Sequence, residues 1–190
     1  PAVTAVARLG DGTADDMEAL SGALREPRTQ EELDVLLTDA RALRTATEKA
    51  AAALEAGGES LMLNPLRSHH RRRVEEAAAV HARLRAVMQR LVAMTRTLHD
   101  HWRPELVGDP LALGIAQELE RIAHDVRLLA SPGAPGTDAD APLLTEPLQV
   151  LAAPRRQWIL IGSLLEDLRR MREEIVVGLE ERDAEVSRPS

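Results

Sequence analysis

Six histidines, a few adjacent carboxylate pairs and one dense run of arginine are the residues in this 190-residue chain whose types could do chemistry. A metal ion held on a helix asks for two ligands three or four residues apart on one face. His69 and His70 are adjacent, His99 and His101 are two apart, and His81 and His124 stand alone. No Glu is followed three residues later by His, the spacing that carboxylate sites in bundles use, and there is no cysteine. Neither a metal nor any other cofactor is expected. Glu75-Glu76, Glu173-Glu174 and Glu180-Glu181 fall within helical patterns and read as solvated faces. The serines lack a G-x-S-x-G elbow, and the GAPG at 133–136 has no following Lys-Ser/Thr to make a phosphate loop. An enzyme is therefore not expected.

The arginine run remains. LNPLRSHHRRR, residues 63–73, joins a helix-breaking Asn64-Pro65 turn to Arg67, His69, His70, Arg71, Arg72 and Arg73. The whole chain carries net charge −7, yet residues 67–103 hold nine basic side chains against three acidic ones. Two explanations stay open. Acidic neighbouring helices can absorb the charge through surface pairs of small worth, or the Arg67–Arg73 end faces an external anion. Nucleic acid is not the expected anion, because the protein is acidic and only Trp102 and Trp158 could stack on bases. Anionic lipid head groups fit better, at about 1 kcal/mol for each basic side chain near the surface. Arg155-Arg156 beside Trp158 would suit the same setting, and the two tryptophans are either core residues or interfacial anchors.

Helices must position these residues. The aliphatic positions recur every three or four residues, and no alternating strand pattern persists. A first helix is expected over 13–25, capped by Thr13. A second, about 29–56, opens with a Thr29-x-x-Glu32 capping box and stops at Gly57-Gly58. A third, about 68–102, begins at Ser68 and carries Ala77, Val80, Leu84, Val87, Leu91, Met94 and Leu98. A fourth starts with Asp109 as N-cap and Pro110 at the first helical position, striped by Ile115, Leu119, Ile122, Val126 and Leu129. Residues 131–142, SPGAPGTDADAP, form a mobile loop. The last helix, from about Pro154 to Arg182, is striped by Ile161, Leu164, Leu165, Leu168, Ile175 and Leu179, and residues 183–190 fray. The expectation is all-α: one elongated antiparallel bundle of five or six helices, built as a single domain over 1–190.

The core has an unusual constraint, since the chain contains no Phe and no Tyr. Its longest apolar stretch, WILIGSLL at 158–165, is far short of the ~20 residues a membrane span needs, and the start of the chain has no signal-peptide pattern.

Residues 41–98 resemble the cytoplasmic helical region of actinobacterial FUSC-type membrane proteins, the fusaric-acid-resistance and aromatic-acid-exporter group. In that family an alanine-rich helix leads to an aliphatic-x-Pro-Leu-Arg turn, and a long helix follows that begins with a basic run. Here Asn64-Pro65-Leu66-Arg67 stands in the turn, Arg71-Arg72-Arg73 in the basic run and Met94-Thr95-Arg96-Thr97-Leu98 in a later R-x-L-like stretch. Two histidines interrupt the run, and no membrane span is present. The resemblance implies a domain cut from a longer efflux-type membrane protein, on the cytoplasmic side of the plasma membrane, with no catalytic residues. It implies an assembly or regulatory role, with the membrane part of the same polypeptide or identical subunits as partners, as a homo-oligomer. The alternatives are a free-standing cytoplasmic helical scaffold and a bundle whose ring-free interior holds an apolar small molecule.

Overall fold

The aliphatic stripes become five helices in the computed structural model, which describes residues 1–62, 68–131, 144–148 and 157–186. They are α1 (Ala2–Arg25), α2 (Gln30–Met62), α3 (Ser68–His101), α4 (Pro110–Ala130) and α5 (Trp158–Val186), with a 3-10 turn at Pro104–Leu106. Among the described residues there is no strand. The protein is an all-α bundle. At 1.5 Å per residue α3 alone is about 50 Å long.

The expected stripes form the core. Leu84, Val87, Leu91, Met94 and Leu98 of α3 meet Ile115, Leu119, Ile122 and Val126 of α4 and Ile161, Leu164, Leu168 and Ile175 of α5 in one buried cluster. Each such side chain withdrawn from water contributes about 1.5–3 kcal/mol before chain entropy is counted. Two of the expected caps hold, at Thr29 and Asp109. The Thr29 N–H donates to Glu32 Oε2 at 2.7 Å, and the Glu32 N–H donates back to Thr29 Oγ1 at 3.2 Å. The Asp109 carboxylate accepts from the N–H groups of Leu111 and Ala112.

Three boundaries differ from the sequence reading. Thr13 does not cap α1, which begins eleven residues earlier. Thr13 is buried in mid-helix, and its hydroxyl donates to the Leu9 carbonyl at 2.7 Å. Ala2, Val6, Leu9, Thr13, Met17, Leu20 and Leu24 are all buried, a seam of threes and fours in which Thr13 fills one aliphatic position. Gly57-Gly58 do not stop α2, because Gly57 packs under Ala2 and Val74 and tertiary contact overrides its low helix propensity. Finally, α5 begins at Trp158 and continues to Val186, so residues 183–186 of the expected tail are helical. Residues 132–142 of the expected loop, residues 154–156 of the expected last helix and residues 187–190 lie outside the described residues.

Ion pairs give the helix directions. Arg127 of α4 meets Asp15 and Glu18 of α1, while Glu120 meets Arg25 and Ser21, so α1 and α4 run opposite ways. Arg83 of α3 meets Glu174 and Glu181 of α5, and Arg90 meets Asp167, so α3 and α5 are antiparallel too. The first four helices alternate in direction, and α5 runs parallel to α4. The connection between those two must therefore climb back along the bundle. Its described piece, residues 144–148, does so against α4, held by two buried acids. Asp125 accepts the N–H groups of Leu144 and Thr145 at 3.0 and 2.8 Å, and Glu118 accepts that of Glu146 at 2.9 Å.

The tightest of the described glycines lies between α1 and α4, where a Cβ added at Gly10 would sit 2.1 Å from the Ala130 Cβ. On an open helix, Gly to Ala gains about 1 kcal/mol. Here the Gly10→Ala change is expected to lower unfolding stability in urea by about 1–3 kcal/mol, because the two helices must part. A gain in stability would show that they have room.

Candidate anion-facing surfaces

The basic run opens α3. Helix geometry begins at Ser68, so His69 through Arg73 occupy the first two turns. Cations there oppose the helix dipole, and this first turn contains no acid to offset them. Helix stability thus gives no reason for the run. His70, Arg71, Arg72 and Arg73 are exposed. Arg72 Nε lies 2.8 Å from Glu76 Oε1 one turn along the same helix, a pair of small worth in solvent. Arg71 and Arg73 have no ion-pair partner among the described residues. Asn64, Pro65 and Arg67 lie outside the described residues, as does the side chain of His69.

Further along α3 the opposite holds. Arg83 is forked between Glu174 and Glu181 at 2.9 Å each, Arg90 reaches Asp167 at 3.6 Å, and Arg96 reaches Asp100 at 3.7 Å. Compensation by the acids of α5 therefore accounts for Arg83 and Arg90 in the middle of α3, and not for the start of the helix.

The two tryptophans separate. Trp102 is half-buried against the core, and its indole N–H donates to the Ala23 carbonyl at 3.4 Å. Trp158 is 66% exposed beside Ile159 at 68%, with Gln157 before it in left-handed backbone at φ 53°. Because α3 and α5 are antiparallel, Trp158 lies level with the end of α3, about 40 Å from Arg71–Arg73 along the bundle axis. Trp158 and the arginine run thus occupy opposite ends of the bundle. Among the described residues no helix is long and apolar enough to cross a membrane, and no group of three or more His, Asp or Glu side chains could hold a metal ion.

No protein-family model, curated protein or solved structure matches this chain.

The acids that tie the bundle together were less visible in the sequence than the arginines. Glu118 and Asp125 are almost wholly buried. The signal for them is that Ile115, Glu118, Ile122, Asp125 and Leu129 keep the spacing of a seam, which puts two carboxylates where aliphatic residues belong. Burial pushes the Glu118 carboxyl above its ordinary range, against the pull of the Glu146 N–H and Arg121. His99 closes the far end, with Nδ1 2.8 Å from Asp100 and Nε2 2.7 Å from Asp34 of α2. Those two carboxylates raise its pKa, Asp100 most. A raised folded-state value means the clamp adds its full stability below the ordinary histidine pKa and loses it as pH rises through the folded one.

Asp16 shows the reverse balance. It is half-buried on α1, with Oδ2 enclosed and without a hydrogen-bond partner. Burial first, and then Asp39 and Asp15, push its pKa up from 3.8 to about 6. The folded state thus holds its proton more tightly than the unfolded chain. A stability cost develops as pH rises from about 4 and is complete above about 6. Asp16→Asn is expected to stabilise the protein by about 1–2 kcal/mol at pH 7 in urea unfolding, with the gain vanishing by about pH 4. An equal gain at both pH values would show that charge is not the cause.

Proposed function

We propose that this chain works by contact rather than catalysis, as a helical-bundle domain that docks through the Arg71–Arg73 end of α3. The observation that carries the reading is the contrast along one helix. Arg83 and Arg90 are satisfied by α5, whereas Arg71 and Arg73 are exposed and form no ion pair among the described residues, at a helix end where positive charge is unfavourable. Such charge suits an anionic surface outside the domain. Together with the likeness of residues 41–98 to FUSC-type proteins, this supports a cytoplasmic domain of an efflux-type membrane protein, with an assembly or regulatory role and this end towards lipid head groups. A homo-oligomer with the membrane part of the same polypeptide is the setting that likeness implies.

The exposed Trp158–Ile159 pair at the other end supports a second contact, with protein rather than lipid, since both ends cannot lie on one flat bilayer when the long axis stands upright.

Vesicle co-sedimentation tests the first contact. The protein should pellet with vesicles containing anionic lipid and not with neutral ones, more weakly as salt rises. Replacing Arg71, Arg72 and Arg73 together by Ser should remove about 3 kcal/mol, roughly a hundredfold in affinity. Unaltered binding by that variant, or equal binding to neutral vesicles, ends the proposal.

A further inference from the structure

A second concentration of uncompensated positive charge lies midway along the bundle, where α2 and α3 pass each other. Arg41 and Arg44 on α2 and Arg85 on α3 line a single groove of about 490 Å³. All three are exposed, and none has an ion-pair partner among the described residues. Their spacing explains the convergence. Arg41 and Arg44 are three apart on α2 and so share a face, while His81 and Arg85, four apart on α3, present the facing edge. The single carboxylate in the lining, Glu48, forms no ion pair among the described residues. In a protein of net charge −7, three guanidinium groups around one cavity with one acid is a local excess that the fold itself does not use.

The floor of the groove is apolar. Met88 is buried, and Val92 and Ala51 are half-buried. His81 is fixed at the wall. Its Nε2 lies 3.1 Å from the Thr47 carbonyl, which can only accept, so Nε2 carries a proton and donates it there. An apolar floor with a few convergent polar groups in this volume range is the make-up of a small-molecule site.

We infer that the α2–α3 groove binds a small amphipathic organic anion, with its carboxylate or phosphate head held by Arg41, Arg44 and Arg85 and its apolar body on Met88 and Val92. The fork of a guanidinium matches an oxyanion bidentately, so three of them select charge and shape together. Arg85 lies about 20 Å along α3 from Arg71–Arg73. The site is therefore separate from the docking end and does not rest on it.

Methionine-methyl NMR on the whole chain tests the assignment, with octyl phosphate below its micelle concentration as the probe. The Met88 methyl should shift saturably, while those of the fully buried Met17, Met94 and Met171 should stay in place. Inorganic phosphate, which lacks the apolar body, and octanol, which lacks the charge, should each bind at least about tenfold more weakly. Arg85→Gln, and the triple change Arg41→Gln, Arg44→Gln, Arg85→Gln, should weaken octyl phosphate binding progressively with helix content unchanged by circular dichroism. Changing Arg71 and Arg73 to Ser should leave it unaltered. The inference is overturned if Met88 does not respond, if Arg85→Gln binds as tightly as the parent chain, or if octanol or inorganic phosphate matches octyl phosphate.

Discussion

A core without phenylalanine or tyrosine can be filled only by bringing helix backbones close together. That constraint governs the rest of this protein. Leu, Ile, Val and Ala span less distance than a ring does, so facing helices approach until small residues meet, as Gly10 does with Ala130. Native packing density leaves no slack at such contacts. Long, straight amphipathic helices follow, because a narrow seam of small aliphatic side chains contributes little per turn and needs many turns to hold. The buried residues of α2 recur every three or four positions from Leu33 through Ala50, with exposed residues between them throughout.

Close packing also decides where charge can go. With little room inside, most charged groups lie on the surface, and which of them are neutralised depends on which helices face each other. The acids of α5 meet the middle of α3, and those of α1 meet Arg127 of α4. Among the described residues, Arg71 and Arg73 at the start of α3 and Arg41, Arg44 and Arg85 in the groove between α2 and α3 form no ion pair. The two most buried acids among the described residues, Glu118 and Asp125, accept hydrogen bonds from backbone N–H groups. They thereby fix the segment that lets α5 run parallel to α4. Buried carboxylates are tolerated when their oxygens are hydrogen-bonded in this way.

Much of this was legible in the residues. The stripes of α3, α4 and α5 are periodic over many turns, and the caps at Thr29 and Asp109 have a local chemistry that needs no tertiary information. The start of α1 was not legible from local rules, because Gly10-Asp11-Gly12-Thr13 has the composition of a turn and cap. Only the close approach of α4 explains Gly10. The α2–α3 groove was hidden for the same reason: Arg41 and Arg85 become neighbours through the pairing of two helices, which no single helix encodes. The seam positions of Glu118 and Asp125 were readable, but their partners lie in a segment without periodicity.

Neutralisation within the chain divides the arginines into a bound set and a free one. Timed modification with an arginine-specific dicarbonyl, followed by peptide mass mapping, tests it directly. Arg83 and Arg127 are forked between two carboxylates each, which hold them in the charged form. They should react about tenfold more slowly than Arg71 and Arg73, as expected for a guanidinium that must first leave charge-assisted hydrogen bonds. Equal rates across the four, or protection of Arg71 and Arg73, would show that no such division exists.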